Sequence, residues 1–202
     1  MTLRLVSSNL KKQFEDFTKG LIIPLSRIGV KPNHLTVLGL VAAVITAWFY
    51  VNHTSNQFMV VFAGLMILVS GFLDAIDGIL ARSTDNVTRF GGFFDSVFDR
   101  YSDLIILSGI IIGKLIDPIT GLASLIGSVM VSYTRSKAEA EGIKMSGVGF
   151  AERAERMILL AVSSMISFFW IEALRWGIIV LTVAAHITVI QRIIYFKKEA
   201  EN

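Results

Sequence analysis

The sequence has no cysteine, three histidines and three prolines, and only 17% of its 202 residues are charged. The lack of cysteine excludes disulfides, thiolate metal sites and thiol nucleophiles. His34, His53 and His186 stand far apart. They form no imidazole cluster of the kind that binds zinc or iron, nor one that would serve the histidine and arginine chemistry of a membrane lipid phosphatase. Residues 1–32 lack the charged, apolar and small-residue order of a cleaved secretory signal. A soluble domain carries about a quarter charged residues, so the scarcity of charge itself argues against one.

Apolar residues fill that space, at 53% of the chain with a mean hydropathy of +0.65. They fall into six stretches, 35–51, 57–81, 90–114, 118–140, 156–171 and 174–195. Each approaches the length of ~20 residues at which a helix crosses a bilayer. The expected fold is therefore all-α, a polytopic membrane protein with six transmembrane helices. With six spans both termini share one side, and 17 of the 19 Lys and Arg residues fall on that side; only Lys114 and Arg175 fall on the other. The positive-inside rule puts the basic side in the cytoplasm of a cell-membrane protein. The net charge of +3 then follows from topology, and nucleic-acid binding is not expected.

All connections are short, so residues 1–202 read as one domain. Within the N-terminal segment 1–32, Leu10, Phe14, Phe17 and Leu21 recur at helical spacing opposite Lys11, Lys12, Glu15, Asp16 and Lys19. That pattern predicts an amphipathic helix lying in the membrane interface. Gly109 and Gly113 in the third stretch are a small-xxx-small pair, a spacing that permits close packing of helices.

The chemistry concentrates in Asp74-Ala-Ile-Asp77-Gly78-Ile-Leu-Ala81-Arg82 and Gly91-Gly-Phe-Phe-Asp95-Ser-Val-Phe-Asp99. Spacings of three and four put each acidic pair on one helix face. One pair ends the second stretch and the other opens the third, so an antiparallel helix pair would bring all four carboxylates together at the cytoplasmic surface. Each Asp costs about 2.5–3.5 kcal/mol at a membrane helix centre, and four need compensation. Ion pairs with Arg82, Arg89 and Arg100 would neutralise part of the charge without explaining the convergence. A hard divalent cation with oxygen ligands explains both. An ion-transport role is the competing class, but the acids gather at one membrane face and no polar chain continues to the other.

The pattern D-x2-D-G-x2-A-R-x8-G-x3-D-x3-D, with eight specified positions across 26 residues, resembles the signature of the CDP-alcohol phosphotransferases. The resemblance extends over most of the chain from Lys31. It implies a six-helix membrane enzyme, usually a homodimer, in which Asp74, Asp77, Asp95 and Asp99 bind two Mg²⁺ ions, with Mn²⁺ as an alternative, and Asp99 is the catalytic base. It further implies CDP-lipid contacts at Gly78, Arg82, Thr88 and the segment Asn33, His34, Leu35 and Thr36. A helix-capping role for Asn33 or Thr36 is the other reading of that segment. Asp103, one turn beyond Asp99, is read as a partner for arginine and not as a metal ligand.

The last signal is basic. Arg135, Lys137, Arg153, Arg156 and Arg192, with Ser132, lie on the cytoplasmic ends of three predicted helices. Pairing with Glu139, Glu141, Glu152 and Glu155 is the plain reading; a phosphate pocket beside the acids is the sharper one. These segments resemble the phosphatidylinositol-phosphate and archaetidylinositol-phosphate synthases, although Arg135 and Lys137 stand where bacterial members more often have Lys and then Arg. The implied acceptor is inositol 1-phosphate, with glycerol 3-phosphate as the alternative.

Overall fold

A computed structural model describes Pro24, residues 29–56 and residues 58–201. The expected interfacial helix falls almost entirely outside these residues. Among the described residues there is no strand, and six α-helices follow one another: α1 (Pro32–Val51), α2 (Phe58–Ser83), α3 (Arg89–Ile112), α4 (Pro118–Ala140), α5 (Arg153–Ile166) and α6 (Ala173–Ala200). Proline at the first turn starts α1 and α4, where its missing N–H removes no helical bond. The Asp117 carboxylate caps α4 by accepting from the Thr120 N–H at 2.9 Å. That bond and the Thr120 side chain hold the Asp117 carboxyl below its ordinary range.

Three helices, α1, α2 and α6, are long and apolar enough to cross a membrane by length and composition. The other three occupy the expected stretches but differ in character. Helices α3 and α4 carry charged residues at their site-facing ends, and α5 has 14 residues, roughly 21 Å at 1.5 Å per residue. The protein is thus a helical membrane protein in which the helices that build the polar end are the least apolar.

Each helix packs mainly on two neighbours, and the pairs α1–α2, α2–α5, α5–α6, α6–α4, α4–α3 and α3–α1 close a ring. In place of the direct α2–α3 face expected from the sequence, α1 packs along both helices. The ring has an apolar end and a polar end. Ile67 of α2, Ile106 and Ile110 of α3, Leu160 of α5 and Ile178 of α6 form the apolar core with Tyr50 of α1. Tyr50 is fully buried and its hydroxyl is 2.6 Å from Ser164 Oγ. Outward faces are apolar as well, with Leu38, Trp48, Phe62, Val180 and Ile190 exposed, as suits helices that face lipid.

Close helix approach depends on glycine at particular places. A Cβ at Gly109 would lie 2.6 Å from the Ala47 backbone, and one at Gly64 would lie 2.8 Å from the Ala161 carbonyl. The small-residue spacing of the third stretch is therefore used inside the chain, where α3 meets α1. Gly71 has nothing within 4 Å of that position. Gly109→Ala is expected to cost about 1–3 kcal/mol through overpacking, and Gly71→Ala should leave stability unchanged or slightly raised. Thermal unfolding of the two variants in detergent checks this, and equal unfolding temperatures would contradict it.

Candidate active site

At the polar end, α2 presents Asp74 and Asp77, and α3 presents Asp95, Asp99 and Asp103. Carboxylate oxygens of Asp74, Asp95 and Asp99 all lie within 4.8 Å of one another. Asp77 stands outside this trio; it is 4% exposed and accepts from the Thr36 hydroxyl at 2.6 Å. Asp95 Oδ1 is buried and has no hydrogen-bond partner. A buried carboxylate oxygen without a partner is costly, and here it points to a ligand.

Arg153, at the first turn of α5, is seated among these acids. Its Nη1 is 2.9 Å from Asp74 Oδ2 and 2.9 Å from Asp99 Oδ1, and its Nε donates to Asp103 Oδ1 at 3.0 Å. Arg156, one turn on, donates from Nη2 to Asp103 Oδ2 at 3.0 Å and from Nη1 to the Ala151 carbonyl at 3.1 Å. Its Nε is buried with no acceptor. Arg100 Nη1 lies 3.7 Å from Asp99 Oδ2. Five carboxylates thus face three guanidiniums. The negative excess, the three converging oxygens and the orphaned Asp95 oxygen suit a hard divalent cation held by oxygen alone.

The acids open onto a cavity of about 670 Å³ whose lining includes Asp74, Asp99, Ser132, Arg135, Arg153, Arg156 and Arg192. Five of the six residues expected to bind an acceptor phosphate therefore share one space with three of the five carboxylates, Asp74, Asp99 and Asp103. Lys137, the sixth, is not part of this lining and donates to Glu141 Oε1 at 2.6 Å on the exposed side of α4. That bond holds the Glu141 carboxyl below its ordinary range. Arg135 donates to Glu139 at 2.9 Å. Arg192 is 2% exposed and already well engaged: Nε donates to the Val148 carbonyl at 2.9 Å, Nη1 to the Val131 carbonyl, and Nη2 lies 3.5 Å from Glu152 Oε1. It braces α6 against α4 and the loop before α5. Glu152 is a site residue that sequence reasoning passed over except as a countercharge. It lines the cavity and also accepts from the Gly147 N–H at 3.3 Å.

The residues expected to contact CDP-lipid gather on the other half of the ring. Thr88 caps α3 by accepting from the Gly91 N–H at 2.9 Å, and a Cβ at Gly91 would lie 3.7 Å from Asn33 Oδ1 of α1. The Arg82 guanidinium folds over Gly78, 3.2 Å from where a Cβ would stand. His34 Nδ1 accepts from the Lys31 N–H at 3.4 Å. Asn33 and Thr36 lie inside α1, whose cap is Lys31, so neither is the helix cap. The Leu35 side chain is buried with Ile76 and Leu80, where its work is packing. One half-ring (α3, α1, α2) therefore carries Asn33, Thr36, Gly78, Arg82 and Thr88, the other (α4, α5, α6) carries the basic cavity, and the acids lie between them.

The sequence profile of the CDP-alcohol phosphatidyltransferase family matches residues 30–190. An archaetidylinositol phosphate synthase of Pyrococcus horikoshii is 40% identical over 178 residues, 88% of this chain and 89% of that protein. A phosphatidylinositol phosphate synthase of Mycobacterium tuberculosis is 35% identical over 180 residues, 84% of this chain and 80% of that protein. The crystal structure of the M. tuberculosis phosphatidylinositol phosphate synthase with CDP-DAG bound superposes with a TM-score of 0.76 at 30% identity, covering 89% of this chain and 92% of that one. A second structure of that enzyme, in complex with manganese and citrate, has the same TM-score.

The orphaned oxygen makes Asp95 the most direct test of metal binding. Asp95→Asn is expected to weaken Mn²⁺ binding more than about tenfold while leaving the metal-free unfolding temperature unchanged or raised, because a buried charge is removed. Calorimetric Mn²⁺ titration and thermal unfolding measure the two effects, and undiminished Mn²⁺ affinity would remove Asp95 from the ligand set.

Proposed function

This chain belongs to the CDP-alcohol phosphatidyltransferase family and is a phosphotransferase, and from that premise we propose that it transfers the lipid phosphate of a CDP-lipid to inositol 1-phosphate, releasing CMP. The observation that carries this reading is the cavity in which Arg135, Arg153, Arg156 and Arg192 converge beside Asp74 and Asp99. Guanidinium forks match phosphate oxygens, and four of them around one cavity favour an acceptor whose phosphate can share them with the carboxylates they now meet.

In this reading a hydroxyl oxygen of the acceptor attacks the lipid-bearing phosphorus. The bond from that phosphorus to the CMP oxygen breaks, and CMP leaves with the electron pair. Asp99, which lines the cavity, takes the hydroxyl proton; this requires a carboxylate oxygen within hydrogen-bond reach of the acceptor. Asn33, Thr36, Gly78, Arg82 and Thr88 hold the nucleotide, and the glycine lets the pyrophosphate approach the backbone. Lys137 joins the acceptor group only by leaving Glu141. Asp74, Asp77, Asp95 and Asp99 would hold Mg²⁺, two ions in the full site or Mn²⁺ in its place, supplying charge neutralisation at the pyrophosphate. The reaction is placed at the cytoplasmic face of the cell membrane, on a homodimer, with the basic side inward.

CMP release from a CDP-lipid, measured with inositol 1-phosphate, glycerol 3-phosphate and free inositol, tests the assignment. Inositol 1-phosphate is expected to be preferred, and preference for glycerol 3-phosphate or equal use of free inositol would defeat it. Asp99→Asn should lower turnover by about 10²–10⁴-fold with CDP-lipid binding retained, and wild-type turnover in that variant would remove Asp99 as the base.

A further inference from the structure

Arg153 stands where it can link the metal and acceptor sites. Its guanidinium has three carboxylate partners, and they belong to two different sets. Asp74 and Asp99, 2.9 Å from Nη1, are two of the three acids whose oxygens converge. Asp103, 3.0 Å from Nε, lies outside that trio, is 6% exposed at its side chain and holds Arg156 with its other oxygen. Arg153 also lines the 670 Å³ cavity, and its own side chain is 22% exposed. One group thus sits at the boundary between the converging carboxylates and the basic cavity.

A cation that takes Asp74 and Asp99 draws on two carboxylates that each already give one oxygen to Arg153 Nη1. Two positive centres held by the same two carboxylates stand close enough to repel each other strongly. The Asp103 contact is made through a different nitrogen and does not depend on Asp74 or Asp99, so it can persist while the far end of the guanidinium turns into the cavity. We propose that Arg153 is a shared ligand. It neutralises Asp74 and Asp99 when they hold no cation, and turns about its Asp103 anchor toward the acceptor phosphate when they do. Asp103 is then a positioning residue that acts through Arg153. The inference rests on the phosphate-acceptor reading above and adds to it an order: the acceptor pocket is complete only after the acids have been taken by metal.

Linkage then ties the two sites together. Arg153 competes with the cation, so removing it strengthens cation binding. The acceptor draws Arg153 away from the acids, so cation and acceptor bind cooperatively, each tightening the other by the same factor. In the withdrawn position Asp103 is the one of its three carboxylates that Arg153 keeps, so losing it costs that position more than the position on the acids, where two carboxylates remain. Without that carboxylate, Arg153 rests wholly on the acids and the cation binds more weakly. If Asp103 instead acted on the cation by direct electrostatic attraction, its loss would matter whether or not Arg153 is present.

The test is a double-mutant cycle read by Mn²⁺ binding to the full-length protein in detergent, with no turnover involved. Arg153→Gln is expected to tighten Mn²⁺ binding about tenfold, and Asp103→Asn to weaken it about fivefold, within the range of couplings seen for contacting charges. In the Arg153→Gln background, Asp103→Asn should have almost no effect. Repeating the titrations with inositol 1-phosphate should tighten Mn²⁺ binding in wild type and much less in Arg153→Gln. Mn²⁺ affinity in Arg153→Gln equal to or below wild type would overturn the proposal, as would an Asp103→Asn effect of the same size in both backgrounds. Asp103→Glu, which keeps the charge, is expected to restore Mn²⁺ affinity toward wild type, and Mn²⁺ binding in Asp103→Glu as weak as in Asp103→Asn would equally overturn it. The Mn²⁺ arms need no acceptor, so a wrong acceptor assignment appears only as a missing response to inositol 1-phosphate, with the cycle intact.

Discussion

The ionic bridge from Arg153 to Asp74, Asp99 and Asp103 is the contact on which the polar end of this protein depends. It joins α5 to its packing neighbour α2 and to α3, which packs mainly on α1 and α4. Buried charges are tolerated only when paired and hydrogen-bonded, and this guanidinium serves three acids at once. Arg156 completes the arrangement by sharing Asp103. A set of carboxylates dense enough to hold a divalent cation would otherwise repel itself apart at the edge of a membrane.

That requirement explains the division of the bundle along its length. The apolar end is filled by Ile67, Ile106, Ile110, Leu160 and Ile178 around Tyr50, with glycine where helices must touch. This packing fixes the helix axes and needs nothing from the site. The polar end can then carry charges, an unpaired Asp95 oxygen and an open cavity. Helices α3, α4 and α5 supply most of those groups and are correspondingly the least suited, by composition, to a lipid interior.

Much of the site was legible in the sequence because helical spacing is rigid. Asp74, Asp95 and Asp99 could be placed together from their intervals and from the turn between α2 and α3, and the basic residues from their common end of the bundle. Other features depended on side-chain partners that spacing does not encode. Asp77 shares a helix face with Asp74 but is taken by Thr36 from α1, 41 positions away. Lys137 sits two residues from Arg135, a step that turns it to another helix face, and there it meets Glu141. Arg192 is held by backbone carbonyls of Val131 and Val148, acceptors that every residue possesses and no motif announces. Asp103 could be recognised as an arginine partner, yet its service to both Arg153 and Arg156 came only from the fold. The insertion of α1 between α2 and α3 was likewise hidden, since six apolar stretches of similar length say little about which neighbours pair.

A cation and Arg153 must compete for the same carboxylates if the two sites are linked as proposed. Anomalous diffraction from Mn²⁺-soaked crystals of this protein tests that claim most directly. The expected result is a manganese peak among Asp74, Asp95 and Asp99, with Arg153 withdrawn from Asp74 and Asp99 but still bonded to Asp103. A manganese peak elsewhere, or one among these acids with Arg153 still in contact with both Asp74 and Asp99, would contradict it.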